Sequence, residues 1–162
     1  MIDKLIEIIG KEAALFEEFL DLLEKQQRML VENNLEGLTL VTVEQREKLS
    51  ESQRLNNLRL EVVANIKADK NIQGDLNVTR LLELVDQQQA ARLTELQSVI
   101  LSLNNKITET RNQNATLLNR SREYISKTME MLSRINTPDS TYGKSGVKID
   151  TPGNNVAIDR RI

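Results

Sequence analysis

Apolar side chains recur every three or four residues through most of this chain, and they predict helices. The longest such stretch, Asn77 to Asn136, contains neither glycine nor proline. In its second half the apolar positions form a seam that alternates steps of four and three, which places them on one face of a helix. The seam comprises Leu96, Ile100, Leu103, Ile107, Thr110, Asn114, Leu117, Ser121, Tyr124, Thr128, Met131 and Ile135.

Two shorter amphipathic stretches precede the long one. We therefore predict three helices, at residues 2–32, 35–67 and 77–136. Asn33 suits the left-handed conformation that ends a helix, and Asn34 suits the N-cap of the next one. Asn77 or Asp75 would cap the third helix. Gly10 falls in mid-helix, where close packing against a neighbour would explain it.

The predicted fold class is all-α, as an elongated antiparallel bundle of three long helices. At about 1.5 Å rise per residue the third helix would reach roughly 90 Å, about twice the length of the others. Half of it would lack a neighbour. A second copy of the chain could cover it, the helix could bend or split near 104–114 to give a four-helix bundle, or the first two helices could form one rod.

Charge gives one indication of how the helices are arranged. Residues 1–33 carry eight acids and four bases, whereas residues 104–136 carry six bases and three acids. Because opposite charges attract, this difference predicts that the first helix lies near the end of the third.

The chain after the long helix has a different composition. Helical geometry is disfavoured before Pro138, and the remainder is rich in Gly, Ser, Thr, Asn and Asp. We therefore predict two regions, a helical domain at 1–136 and a C-terminal tail at 137–162 that is disordered when free.

Composition lowers the expectation of enzymatic chemistry. The 162 residues include no cysteine and no histidine, which removes thiol chemistry, the commonest metal ligands and the usual proton carrier near neutral pH. No carboxylate pair and no phosphate-binding glycine loop stands out. We predict no enzyme, no cofactor and no metal site.

Charge and hydropathy also bear on location and partners. The net charge is −2, which favours no bulk binding to nucleic acid. No apolar run approaches the ~20 residues that a membrane span needs, and acidic residues interrupt the start that a secretory signal would occupy. We therefore expect a cytoplasmic protein without membrane insertion.

The last part of the long helix is the strongest candidate for binding another helix, because amphipathic helices are commonly recognised along an apolar stripe. Two simpler readings compete with this one. Polar seam residues such as Asn114 more often fix the register of a coiled coil, and methionines are often core filler. The candidate residues are Leu117, Leu118, Tyr124, Ile125, Met129, Leu132 and Ile135.

Several stretches, in order along the chain, resemble the flagellar export chaperone family FlgN. Residues 30–38 and 44–49 are similar to that family's first helical hairpin, with a leucine, a short polar turn and an acid-leucine pair. Residues 112–118, followed by 122–132, are similar to its last helix, with asparagines ahead of a double leucine. Tyr142 to Gly146 resembles the tyrosine and glycine of its tail. The tail after Gly146 is longer than expected, and residues 68–77 match nothing familiar.

The resemblance implies a cytoplasmic, substrate-specific chaperone of the flagellar type III export system. Its clients would be hook-filament junction proteins of the FlgK and FlgL type, held by their polymerising terminal segments. By position, the resemblance places docking to the export gate component FlhA on Tyr142 and Gly146. A homodimer is compatible with it. The alternative is a structural coiled-coil protein that acts only through homo-oligomerisation.

Overall fold

The computed structural model describes residues 1–136, and this part of the chain is all-α, with no strand. Its four helices are α1 (Ile2–Val31), α2 (Leu35–Asp69), α3 (Val78–Leu82) and α4 (Gln87–Asn136). The predicted all-α bundle of long helices is therefore confirmed. The predicted tail, 137–162, lies outside the described residues.

The chain divides into two compact units. The first is Met1–Tyr124, and the second begins at Ile125. Residues 125–136, the last part of α4, are the portion of the second unit that the structure describes. The predicted boundary between residues 136 and 137 stays a prediction.

Helices α1 and α2 form an antiparallel hairpin and are the most closely packed pair of helices. Near the turn, Lys25 Nζ lies 3.0 Å from Glu44 Oε1. Farther from the turn, Arg59 Nε lies 3.0 Å from Glu12 Oε1. Because the two helices are separate and antiparallel, the single-rod alternative is wrong.

Two asparagines build the turn of this hairpin, as predicted. Asn33 adopts a φ of 53°, and the Asn34 side chain accepts a hydrogen bond from the Gly37 N–H at 2.8 Å. A Cβ at Gly37 would collide with Met29 Sδ and lie 3.0 Å from Asn34 Nδ2. The turn therefore depends on the small size of residue 37 as well as on the two asparagines.

Helix α4 runs parallel to α1. Gln89 Nε2 donates to Asp3 Oδ1 at 2.7 Å, and Gln27 Nε2 donates to Gln113 Oε1 at 2.9 Å. Helix α1 thus lies along α4 from its start to about Leu117, and the prediction that it lies near the end of the long helix is wrong. Surface charges decide such packing poorly, since exposed ion pairs contribute at most about 1 kcal/mol, far less than a buried apolar seam.

The long helix starts later than predicted. Asn77 caps only the short helix α3, by accepting from the Arg80 N–H at 2.9 Å. Asp86 Oδ1 accepts from the Gln89 N–H at 2.8 Å, and Gln89 Oε1 accepts in return from the Asp86 N–H at 3.5 Å. This reciprocal capping box begins α4. From there α4 is unbroken through 104–114, so the predicted split does not occur.

The core is aliphatic and runs along the first unit, and one cluster of it lies at the end opposite the hairpin turn. There α3 lies with the start of α1, the end of α2 and the start of α4. One cluster of buried residues joins these four helices: Leu5, Ile8, Val62, Ile66, Leu81 and Leu93.

A layer of amides joins three helices near the other end of the unit. Asn114, only 5% exposed, donates through Nδ2 to the Leu23 carbonyl at 2.8 Å and to Gln26 Oε1 at 3.0 Å. Gln26 Nε2 donates to Gln45 Oε1 at 3.4 Å. Within the described residues Gln45 Nε2 and Asn114 Oδ1 have no hydrogen-bond partner. A buried, incompletely satisfied layer of this kind sets the register of the helices at a cost in stability.

We expect Asn114→Leu to raise the free energy of unfolding by about 1 kcal/mol, because it removes a buried unpaired acceptor and extends the apolar seam. It should also permit additional oligomers or registers. Chemical denaturation followed by circular dichroism, together with light scattering, measures both effects. Asn114→Ala is the matched variant, which loses the hydrogen bonds without adding apolar contact and should lower stability by about 1–3 kcal/mol. A less stable Asn114→Leu would contradict the register role.

The two helical glycines should respond in opposite ways to alanine. Nothing lies within 4 Å of a Cβ at Gly10, so the predicted close packing there is wrong. Gly10→Ala should therefore raise the free energy of unfolding by about 1 kcal/mol through helix propensity alone. Gly37→Ala should lower it, because the new methyl displaces Met29 and the Asn34 cap. Thermal denaturation followed by circular dichroism measures both changes. Equal shifts of the melting temperature in the two variants would contradict an energetic effect of the crowding at Gly37.

Candidate protein-binding surface

The predicted seam of α4 is buried in its first part and exposed in its last. All seam positions from Leu96 to Ser121 are buried or half-buried, which agrees with the spacing read from the sequence. The remaining seam positions are exposed, namely Tyr124, Thr128, Met131 and Ile135. The same periodic pattern is therefore covered along one part of the helix and uncovered along the rest.

The length of α1 explains where burial ends within the first unit. Gln27 of α1 lies beside Gln113, and α1 ends four residues later, at Val31. Because both helices rise about 1.5 Å per residue, the end of α1 is level with Leu117. Leu117 is accordingly half-buried, whereas Leu118 is 48% exposed and Tyr124 is 74% exposed.

The described residues of the second unit carry an apolar face of their own. Ile125 is 60% exposed, Met129 64% and Leu132 51%. Steps of four, three and three place these side chains and exposed Ile135 on one side of the helix. All seven residues predicted to bind a partner are thus at least partly accessible, three in the first unit and four in the second.

Unpaired cations accompany these apolar residues. In the first unit Arg120 and Arg122 are exposed, and in the second Lys127 is exposed. None of the three makes an ion pair within the part of the chain that the structure describes. The excess of bases over residues 104–136 therefore lies partly on exposed side chains that form no ion pair with α1.

Neither a metal site nor a membrane segment is found in the described part. Across residues 1–136, no three His, Cys, Asp or Glu side chains are grouped so that they could hold a metal ion. No helix within the same range has an apolar stretch sufficient to span a lipid bilayer.

An all-α bundle with an exposed apolar stripe and unpaired cations belongs to the class of helical proteins that bind other proteins. A family model described as FlgN protein matches residues 1–148, and the chain therefore belongs to the FlgN family. Members are flagellar export chaperones and not enzymes. No curated protein and no solved structure matches the chain significantly. The predicted docking residues Tyr142 and Gly146 lie outside the described residues.

Serine substitutions should separate the exposed residues from the structural ones. Leu118→Ser, Ile125→Ser and Leu132→Ser should each change the free energy of unfolding by less than about 0.5 kcal/mol, because their side chains already contact water. Leu103→Ser is the comparison, since Leu103 is 8% exposed on the same helix and its loss should cost about 3 kcal/mol or more. Urea denaturation measures these differences. Losses at Leu118 or Leu132 as large as that at Leu103 would mean that the stripe is part of the core.

Proposed function

We propose that this flagellar export chaperone acts in the cytoplasm and binds the polymerising terminal segments of hook-filament junction proteins of the FlgK and FlgL type. It keeps these clients from assembling prematurely and delivers them to the export gate. The observation that carries the proposal is the exposure of the apolar residues at the end of α4. A folded chain rarely leaves such residues uncovered without a partner.

The proposed mechanism is coverage of one helix by another. The polymerising ends of filament proteins are amphipathic, and their apolar faces aggregate when they are left unpaired. Laying such a face along Ile125, Met129 and Leu132 would remove apolar surface from water on both molecules. Leu117, Leu118, Tyr124 and Ile135 are the other residues that we propose for this contact.

Charge would supply orientation and rate rather than most of the affinity. Arg120, Arg122 and Lys127 are positioned to attract carboxylates that flank the apolar face of a client helix. Complementary charge of this kind speeds association and discriminates against basic segments. We therefore propose that the client segment is amphipathic and acidic.

Delivery is a separate step in this proposal. Tyr142 and Gly146 would dock the loaded chaperone on FlhA, as the family resemblance implies.

The competing function is a structural coiled coil, in which the exposed stripe of one copy packs against that of another. That alternative requires a stable oligomer and no client.

Binding of a purified FlgK-type protein from the same organism tests the proposal. We expect the triple variant Leu118→Ser, Ile125→Ser, Leu132→Ser to bind at least about 10-fold more weakly than the unchanged chain, because each serine removes part of the apolar contact. Isothermal calorimetry gives the dissociation constants, and circular dichroism confirms that the variant is folded.

A matched control comes from three exposed apolar residues on α2. Leu40, Val43 and Leu60 are 59%, 49% and 56% exposed, and their conversion to serine should leave client binding unchanged.

Tyr142→Ala should retain the client and lose binding to the cytoplasmic domain of FlhA. An unchanged affinity after the α4 triple substitution, or a stable homo-oligomer that binds neither FlgK nor FlgL, would refute the proposed function.

A further inference from the structure

The exposed end of α4 carries two adjacent rows of side chains that differ in size. Each row advances in steps of seven residues, and the second row begins three residues after the first, so both lie on one face of the helix. The first row is large and apolar, and it consists of Leu118, Ile125 and Leu132. The second row is mostly small and polar, and it consists of Ser121, Thr128 and Ile135. This is the pattern of a coiled-coil strand with unequal rows.

The unequal rows favour one direction of pairing between two copies of the helix. In a parallel pair each layer would contain the same residue twice, so that Ser121 would face Ser121 and Thr128 would face Thr128. Two polar layers would weaken so short a seam. In an antiparallel pair the two rows face each other, and large side chains meet small ones, as close packing requires.

One register satisfies this pairing in every layer. With the twofold axis between Ser126 and Lys127, Ile125 faces Thr128 of the second copy. In the same register Leu132 faces Ser121, and Leu118 faces Ile135. The six layers extend over residues 118–135, which is about 27 Å of helix. The same patch is used on both copies, so the contact closes as a dimer.

Helix length selects the same register independently. The uncovered part of α4 begins beyond Leu117, which is level with the end of α1, and α4 ends at Asn136. The twofold axis between residues 126 and 127 brings Asn136 of the second copy level with Leu117. The two uncovered segments therefore overlap along their whole length, and each ends where α1 of the other copy ends.

The residues beside the seam also fit an antiparallel pair. Tyr124 lies beside the second copy's Met131, and contacts between a thioether and an aromatic ring are favourable. Arg122 lies beside the second copy's Met129, where its aliphatic stem can cover apolar surface while the guanidinium stays in water. Tyr124, Met129 and Met131 are 74%, 64% and 65% exposed, so each has surface to bury.

Charge repulsion does not oppose this pairing. Apart from Arg122, the charged residues of this segment lie two or five positions after a member of the large row, which places them on the far side of the helix. They are Arg120, Glu123, Lys127, Glu130 and Arg134. The antiparallel pair therefore brings no two like charges together at its seam.

We propose that, before a client binds, the exposed end of α4 pairs antiparallel with the same segment of a second copy, and that the client displaces this copy. The displacement rests on the proposed function, because the client and the second copy use the same residues, whereas the dimer does not rest on it. Four of the six layers contain Ser121 or Thr128, so the contact is weak enough to exchange. The dimer keeps the apolar stripe from unrelated proteins until a client arrives.

Because the chain has no cysteine, introduced thiols report on the register. Leu118→Cys and Ile135→Cys are made in separate chains, mixed and oxidised, and disulfides are identified by non-reducing electrophoresis and mass spectrometry. In the antiparallel pair residues 118 and 135 are opposite, whereas two copies of either residue lie about 25 Å apart. A disulfide requires Cα atoms within about 7 Å, so the mixture should cross-link at least about 10-fold more than either variant alone.

A matched control uses the far side of the same helix. Glu123 and Glu130 are also level with each other in the proposed register, and both are exposed, but they point away from the seam. A mixture of Glu123→Cys and Glu130→Cys should therefore give no more disulfide than either variant alone. Addition of a FlgK-type client whose own thiols are blocked should lower the 118–135 disulfide at least about 10-fold.

Four results would contradict parts of this scheme, and they differ from one another. Self-cross-linking of Leu118→Cys would indicate a parallel pair and overturn the proposed arrangement. A mixture without disulfide, together with a monomer mass for the unchanged chain in sedimentation at all concentrations, would overturn the dimer and leave the proposed function intact. An undiminished 118–135 disulfide in the presence of bound client would overturn the displacement. A dimer that forms as described but yields no client complex would overturn the proposed function instead.

Discussion

The structure depends on one mismatch of length. Helix α1 has 30 residues and α4 has 50, and the two run parallel from the same end of the bundle. The apolar seam of α4 can therefore be covered only as far as α1 extends. Since the seam continues with the same spacing beyond Leu117, the chain carries apolar residues that its own hairpin does not reach. The exposed part of the seam is a direct consequence of helix length and not a failure of packing.

Much of this arrangement could be predicted from the sequence, because it follows from local rules. The seam from Leu96 to Ser121 follows from spacing, and the turn at Asn33 and Asn34 follows from the conformations that asparagine tolerates. The break before α4 is also encoded locally, in the capping box of Asp86 and Gln89. The prediction missed this break because the apolar spacing continues across it. The polar pair Asp86 and Gln89 was therefore not recognised as the start of a helix.

The contacts between helices were harder to predict. The prediction from surface charge put α1 at the wrong end of the long helix. Exposed charges contribute little to the free energy of folding compared with the burial of Leu5, Ile8 and Leu93. Helix length predicted that half of the long helix would lack a neighbour in its own chain but left open what covers it; in the structure Ile125 and Leu132 are exposed. The open channel between α2 and α4 that Phe16 and Phe19 line could not be predicted, since it depends on how far apart the two helices lie. The spacing of residues within each helix does not contain that distance.

The two ends of the first unit differ in how firmly they hold together. At one end a cluster of aliphatic side chains joins four helices, whereas near the other end amides with two unsatisfied atoms occupy the seam. Leu22, Leu23 and Val41 are buried at the hairpin end too, but the unsatisfied amide atoms there weaken the packing, so this end should open more often than the end that contains α3. A chaperone must release its cargo as well as hold it. Under the proposed function, opening of the amide layer by thermal fluctuation would be one way to release a bound client without nucleotide hydrolysis or any other input of energy.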